Sequence, residues 1–127
     1  MKWINENTPE DAIVMTYWND GHWISSIAGR KNVIDAYAEY APGVDDRYMA
    51  MFYVMEGADV NQSLHALEEY NASYVYYSLI NDQYCTGFAY QSRYPYFELV
   101  YQNNRDFVFK VDLTGQSKPT DICEFFS

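Results

Sequence analysis

The stretch AIVMTYWNDGHWISSIAGRKNVID, residues 12–35, decides the fold of this chain. Its apolar beginning predicts a strand over Ala12–Trp18, continuous enough in apolar residues to be buried on both faces. The run ends in the polar and aromatic cluster Tyr17–Gly21, followed by a predicted short helix over His22–Ala28 and a second strand over Asn32–Asp35. A helix between two strands indicates a parallel pair joined by a crossover. Ligands of open α/β sheets bind at the carboxyl ends of strands, so this cluster is the leading candidate for a functional site.

Local signals elsewhere in the chain predict further helices and strands. One helix is expected from about Arg47 to Glu56. Asp59, with Gln62 three residues later, resembles a capping box that opens another helix, and Asn71 is a plausible left-handed stop. The expected buried residues are Tyr48, Met51, Phe52 and Met55 on the first helix, and Leu64, Ala66, Leu67 and Tyr70 on the second. The remaining predicted elements are a short helical turn capped by Thr8, strands over 73–79, 96–102 and 107–113, and a loop or weak helix over 81–92.

These elements predict a single α/β domain with a mixed sheet of about five strands, flanking helices and a C-terminal β-hairpin. The turn Asn103–Asp106 joins the last two strands. The length of 127 residues suits one domain, with a core over about 8–113 and a surface tail over 114–127. Cys85 and Cys123 lie outside any C-x-x-C pattern, and both a disulfide and two buried free thiols remain open.

Composition excludes several classes of function. The chain has 8 basic and 18 acidic residues, for a formal charge of −10. This balance argues against binding nucleic acid or an anionic membrane surface, because both need Lys and Arg. The 14 tyrosines suit contacts with peptides or sugars, although half-buried strand positions account for most of them. No apolar run approaches the roughly 20 residues that span a bilayer.

The Tyr17–Gly21 cluster combines residue types that suit recognition of a small hydroxyl side chain. Trp18 offers a rigid apolar wall, while Asn19 and Asp20 offer short hydrogen-bond acceptors. Such a pocket discriminates because the wrong side chain leaves buried polar groups unpaired. The alternative is that Trp18 belongs to the core and that Asn19 and Asp20 cap the next helix.

Catalysis by this chain alone has little support in the sequence. Neither histidine has a nucleophile partner, and the chain carries no nucleophile elbow and no glycine-rich phosphate loop. His22 is either a ligand contact at a helix start or a structural histidine. Asp20 and Asp35 lie at strand ends, where they either share a metal ion or cap turns.

The cluster also resembles a known family motif. Tyr17-Trp18-Asn19-Asp20-Gly21 resembles the WWDYG motif of oligosaccharyltransferase catalytic subunits, with Tyr17, Asn19 and Asp20 in place of its first Trp, its Asp and its Tyr. The stretch Asp82-Gln83-Tyr84-Cys85 is the nearest candidate for the family's second recognition element, and it lacks that element's Lys. Further similarity to family segments runs through Thr8–Ala12, Gly29–Asp35, Leu67–Tyr76, Phe97–Tyr101 and Phe107–Val111.

The resemblance implies an acceptor-recognition domain of a multi-spanning oligosaccharyltransferase-like enzyme of protein N-glycosylation, on the extracytoplasmic face of a membrane. In that family the WWD part of the motif recognises the Ser or Thr of an Asn-X-Ser/Thr acceptor. The substrate-binding residues implied here are Tyr17, Trp18, Asn19, Asp20, Gly21, His22 and Asp82, and none of them is catalytic. The implied partners are an acceptor peptide, the membrane domain of the same polypeptide and, through it, a lipid-linked sugar donor. A divalent metal, Mg²⁺ or Mn²⁺, is implied for the parent enzyme and not for this domain.

A competing hypothesis comes from a different functional class. It is a non-catalytic extracytoplasmic binding module that uses its tyrosines to contact sugar or protein. The chain also carries two acceptor patterns for N-glycosylation, Asn61-Gln62-Ser63 and Asn71-Ala72-Ser73, which flank a predicted helix.

Overall fold

The computed structural model describes residues 2–16, 31–32, 49–57, 59–78, 88–102, 106–118 and 122. In chain order its elements are α1 (Lys2–Asn7), β1 (Ile13–Met15), β2 (Lys31–Asn32), the π-helical segment α2 (Phe52–Glu56), α3 (Val60–Glu69), β3 (Tyr74–Ser78), α4 (Phe88–Gln91), β4 (Phe97–Gln102) and β5 (Asp106–Val111). No helix among these residues is long and apolar enough to cross a bilayer.

The strands form one mixed sheet of five strands in the order β2-β1-β3-β5-β4. The strand β1 pairs in parallel with both β2 and β3, whereas β3–β5 and β5–β4 are antiparallel. The predicted α/β class, the parallel pair and the closing hairpin are therefore confirmed. Val14 and Met15 are fully buried, as expected for a central strand covered on both faces.

The larger core lies between one face of the sheet and the helices α2, α3 and α4. Alternate strand residues project to this face because side chains in a strand have a period of two. Phe88 of α4 lies in its middle, with ring centroids 5.0 Å from Phe97 and 5.1 Å from Phe109 in edge-to-face geometry. The buried residues of this core include Met15, Met51, Val54, Leu67, Val75, Tyr77, Phe88, Phe97, Phe107, Phe109 and Ile122. Because Ile122 is fully buried, the predicted surface tail is not entirely at the surface.

The opposite face of the sheet is covered by α1, a helix that the sequence signals do not predict. Ile4 packs there with Val14, Tyr76 and Val108. The turn predicted after Thr8 is present, since the Ala12 N–H donates to the Pro9 carbonyl oxygen at 3.0 Å. Thr8 also lies at the end of α1, where its hydroxyl donates to the carbonyl oxygen of Ile4 at 2.6 Å.

The segment predicted as a helix to Glu56 is helical from Met49 in the described residues but changes to a π-helix at Phe52. The Gly57 N–H donates to the Phe52 carbonyl oxygen at 2.7 Å, which is the i→i+5 bond of a π-turn. The buried residues Ala50, Met51, Val54 and Met55 form one helix face, which leaves Phe52 beside it. Met51 and Met55 are buried as predicted, but Phe52 is 41% exposed, contrary to the prediction.

The helix α3 begins and ends where its capping residues predict. Asp59 accepts a hydrogen bond from the Asn61 N–H at 2.9 Å, so the cap is made to the second helical residue. Asn71 has a φ of 54°, the left-handed conformation that stops a helix. The N–H groups of Asn71 and Ala72 donate to the carbonyls of Glu68 and Leu67, and these two bonds form a Schellman motif.

The hairpin of β4 and β5 contains a register shift between Leu99 and Tyr101. The extra residue, Val100, lets both Val100 and Tyr101 pack on the face that carries α1. Tyr101 stacks on the indole of Trp3 there, with ring centroids 5.3 Å apart. The bulge therefore extends the smaller core to the outer strand.

Candidate functional site

The parallel strands fix one edge of the sheet as the leading candidate site. Because β1, β2 and β3 run in the same direction, their carboxyl ends lie at the same edge. Thr16 follows β1, and Ser78 ends β3 at this edge. The antiparallel strand β5 begins there, since Asp106 pairs with Ser78. This edge, defined by Thr16, Ser78 and Asp106, is called the carboxyl edge below.

Both segments that carry the predicted site residues follow directly from strands that end at the carboxyl edge. The cluster Tyr17–His22 comes next in the chain after Thr16, and Asp82 follows the end of β3. The strands β1 and β3 are direct neighbours in the sheet. The predicted site residues themselves lie outside the described residues, as do Asp35, Cys85 and Cys123. Their roles therefore remain predictions.

The described part of the carboxyl edge carries polar side chains that the sequence analysis did not single out. Thr16 is fully buried, and its hydroxyl has no hydrogen-bond partner among the residues that the structure describes. The register of β1 and β3 places Thr16 beside Tyr76, whose hydroxyl donates to the Asp106 carboxylate at 2.9 Å. Burying a hydroxyl without a partner costs about 1–3 kcal/mol. Buried polar residues such as Thr16 and Ser78 are therefore unusual at the ends of these strands.

A simple sequence signal could have found these residues. Thr16 lies two positions after Val14, and Ser78 lies two positions after Tyr76. By strand periodicity each of these pairs shares a face of the sheet, the face that carries α1. Polar residues at the carboxyl ends of otherwise apolar strands indicate the edge where a ligand site lies.

A shallow groove between α2 and α3 is the second candidate site. It has a volume of about 350 Å³ and is lined by Met49, Ala50, Tyr53, His65, Ala66 and Glu69. His65 and Glu69 lie one turn apart on the exposed side of α3. Across the described ranges no three His, Cys, Asp or Glu side chains cluster so that they could hold a metal ion. The groove offers an imidazole and a carboxylate to a ligand but no set of metal ligands.

An aromatic and cationic cluster is formed by Tyr90 of α4 with Arg93 and Tyr94, which follow that helix. The guanidinium carbon of Arg93 lies 4.1 Å from the centre of the Tyr90 ring, and Tyr94 packs edge-on against Tyr90 at 6.3 Å. The hydrogen bond with Tyr90 raises the pKa of the Tyr94 phenol above its usual value, and the nearby charge of Arg93 opposes this rise. Arg93 is exposed there, whereas the two tyrosines are half-buried and the guanidinium covers one face of the Tyr90 ring.

The residues after β5 form a tight polar turn around Asp112. Its carboxylate accepts hydrogen bonds from the Thr114 hydroxyl and N–H, from Ser117 and from the Gln116 N–H. These bonds, that from the Thr114 hydroxyl above all, lower the pKa of Asp112 to about 2. All four donors come from the turn itself, so Asp112 stabilises this turn.

Comparison with known proteins identifies a structure with a similar fold. No protein-family model and no curated protein matches the sequence. The chain is similar in structure to the C-terminal globular domain of an oligosaccharyltransferase from Archaeoglobus fulgidus, known from its crystal structure. The TM-score is 0.63 at 17% sequence identity, and the match covers 87% of this chain and 92% of that one. At this identity the likeness shows a shared fold.

Proposed function

We propose that this chain is the acceptor-recognition domain of an oligosaccharyltransferase-like membrane glycosyltransferase. The observation that carries the proposal is the structural similarity to an oligosaccharyltransferase C-terminal globular domain over 87% of the chain. The residues that resemble the WWDYG motif follow β1 in this same fold. Sequence and structure therefore support the same assignment by separate routes.

The topology supports a binding site at the carboxyl edge. In open α/β sheets the crevice at the carboxyl ends of the strands is the usual ligand site. The segments Tyr17–Gly21 and 79–87, the second containing Asp82, continue from neighbouring strands at this edge. Side chains from both segments would then converge on one acceptor peptide, with His22 as a further contact.

The chemistry proposed for the cluster is recognition of the acceptor hydroxyl. Asn19 and Asp20 accept hydrogen bonds, and Trp18 provides an apolar wall for the methyl group of threonine. Asn19 carries an amide where the family motif has a carboxylate, so its hydrogen bond to a hydroxyl is weaker than a charge-assisted one. Tyr17 and Gly21 shape the pocket. The domain selects the acceptor and leaves the chemical step to other parts of the enzyme.

The remaining components of the proposal belong to the parent protein. The membrane domain of the same polypeptide would hold the lipid-linked sugar donor together with Mg²⁺ or Mn²⁺. The domain described here would then face the extracytoplasmic side of the membrane, where the acceptor peptide arrives. Its excess of acidic residues fits a protein or peptide partner better than nucleic acid.

A peptide titration tests the proposal. The amide resonances of the ¹⁵N-labelled domain are followed by NMR while a peptide containing Asn-X-Thr is added, and the matched peptide has Asn-X-Ala. We expect larger shifts with the threonine peptide, centred on the amides of Thr16 and Ser78. Identical responses to the two peptides would contradict hydroxyl recognition.

Two single variants test whether the proposed contacts cause the different responses to the two peptides. Asn19→Ala and Trp18→Ala should each abolish the difference between the two peptides. Asn61→Ala is the matched control for Asn19→Ala, because Asn61 is an exposed asparagine on α3. This control should leave the titration unchanged.

A second candidate function is a non-catalytic module that binds sugar through surface tyrosines. The observation that favours it is the cluster of Tyr90, Arg93 and Tyr94, because ring faces beside a cation suit contacts with saccharides. A titration with short oligosaccharides distinguishes the two functions. Shifts confined to the amides of residues 90–94 support this module, and shifts at Thr16 and Ser78 with the threonine peptide support the acceptor domain.

A further inference from the structure

The two N-glycosylation patterns of the chain occupy very different positions in the fold. Asn61-Gln62-Ser63 lies in the first turns of α3, whereas Asn71-Ala72-Ser73 lies between the end of α3 and the start of β3. Both asparagine side chains are exposed. The hydroxyl two residues later therefore decides whether a glycosylating enzyme can use each pattern, because that hydroxyl is part of the recognised sequence.

The first pattern is blocked by its own serine. Ser63 is fully buried, and its single hydroxyl proton is shared between two acceptors, the Tyr53 carbonyl oxygen at 2.7 Å and the side-chain oxygen of Gln91. Residues two positions apart do not share a face of a helix, so Asn61 points to solvent while Ser63 points into the core. An enzyme could not contact both side chains without unwinding the start of α3 and breaking the contacts of Gln91.

The second pattern presents both of its groups outside a helix. Asn71 occupies the left-handed position that ends α3, with its side chain exposed. The chain then leaves the helix, and Ser73, at the approach to β3, is only half-buried. The buried side chain in this pattern is that of the middle residue, Ala72. Within the part of the chain that the structure describes, no buried side-chain network like that of Gln91 holds Asn71 or Ser73, and Ser73 is tied to Ile13 and Val111 through its backbone groups alone.

From this asymmetry we infer that Asn71 is an N-glycan acceptor in the folded domain and that Asn61 is not. In the transfer step the bond between the sugar C1 and the phosphate oxygen of a lipid-linked oligosaccharide breaks, and a bond forms between that C1 and Asn71 Nδ2. The amide nitrogen gives one proton to water or to a base of the glycosylating enzyme, and the lipid phosphate leaves with the bonding electron pair. No oxidant or reductant is needed. This inference is independent of the function proposed above, since any N-glycosylating enzyme that meets the folded domain could act on it.

The test is in vitro glycosylation of the purified, folded chain by an oligosaccharyltransferase of established activity with its lipid-linked donor. Intact-mass and tryptic-peptide mass spectrometry then report the occupancy of each asparagine. Synthetic peptides spanning residues 57–67 and 67–77 measure how well each pattern is used without the fold. For each asparagine, the occupancy in the folded chain is divided by the occupancy in its own peptide. This ratio should be at least tenfold higher for Asn71 than for Asn61.

Two variants identify the modified site without disturbing the fold. Ser73→Ala removes the second pattern while Asn71 keeps its left-handed position, and it should abolish the added glycan mass. Asn61→Gln removes the first pattern at an exposed position and should leave the glycan mass unchanged. Thermal melting of each unglycosylated variant checks that it is folded. Modification of Asn61 in the folded chain to the same relative extent as Asn71 overturns the inference, and so does an Asn71 that stays unmodified.

Discussion

Replacing Gln91 by methionine tests how the helical layer of the domain is held together. The Gln91 side chain is fully buried on α4. Its Nε2 donates to the carbonyl oxygens of Tyr53, Val54 and Gly57, at 3.0, 3.2 and 2.7 Å. Its Oε1 accepts a hydrogen bond from Ser63 Oγ. One amide therefore links α2 and the turn after it to both α3 and α4.

The structure gives the expected size of the effect. Methionine has a similar length, so the loss of hydrogen bonds dominates over the loss of packing. Each lost bond costs about 1 kcal/mol, and a buried polar group left unpaired costs about 1–3 kcal/mol. The Tyr53 carbonyl keeps the Ser63 hydroxyl at 2.7 Å, so it is not left unpaired. The carbonyls of Val54 and Gly57 each lose a donor, so we expect Gln91→Met to lower the free energy of unfolding by about 2–6 kcal/mol and Tm by about 10–20 °C.

The assay is urea unfolding followed by far-UV circular dichroism, with thermal melting as a second measurement. Gln62→Met is the matched control, because Gln62 is exposed on the neighbouring helix α3. That control should change the free energy of unfolding by no more than about 0.5 kcal/mol. Equal losses for Gln91→Met and Gln62→Met would refute the linking role of the Gln91 amide.

Three further predictions follow from individual residues. Asn71→Ala should lower the free energy of unfolding by about 1 kcal/mol and Asn71→Gly should not, since a φ of 54° strains alanine but not glycine; urea unfolding compares the two. Because the pKa of Asp112 is about 2 in the folded chain and higher when unfolded, its stabilising effect is present above about pH 4 and is lost as the pH falls towards 2. When the pH is lowered from about 4 to 2, Tm should therefore fall less in Asp112→Asn than in the original chain. An equal fall in the two proteins, measured by thermal melting, would contradict this. Phe88→Ala should lower the free energy of unfolding by about 3–5 kcal/mol, because the ring is fully buried among aromatic neighbours; a loss below about 1 kcal/mol would contradict its central position.

The parts of the fold that could be predicted from sequence are those set by local signals. The helix α3 has Asp59 at its start and Asn71 at its end, and both caps act through residues nearby in the chain. The closing hairpin likewise follows from two β-rich runs around a turn. These signals can be recognised in the sequence without any knowledge of the tertiary structure.

The elements that were missed depend on contacts distant in sequence. The helix α1 has only six residues, too few to be stable alone, and it forms where Ile4 and Trp3 pack on the sheet. The π-turn at Phe52–Glu56 is stabilised by carbonyl contacts to Gln91, 34 to 38 residues further along the chain. Neither feature leaves a periodic pattern in the sequence.

For the candidate site, the sequence led to the carboxyl edge of the sheet but not to the polar residues that the structure describes there. The cluster Tyr17–Gly21 was identified because an apolar strand ends there in polar residues. The hydrogen bond from Tyr76 to Asp106 was not foreseen, because it joins residues 30 positions apart on neighbouring strands. That bond becomes apparent only when the register of β3 and β5 is known.

The most direct test of the acceptor role is paramagnetic relaxation enhancement with a spin-labelled Asn-X-Thr peptide. Paramagnetic broadening detects weak complexes and falls steeply with the distance between the spin label and an amide. The two ends of β3 are about 15 Å apart, so broadening at one end can be distinguished from broadening at the other. We predict broadening of the amide signals of Thr16 and Ser78, with those of Ala12 and Ser73 at the opposite edge unaffected. Broadening centred on Ala12 and Ser73, or equal broadening by an Asn-X-Ala peptide, would contradict acceptor recognition at the carboxyl edge.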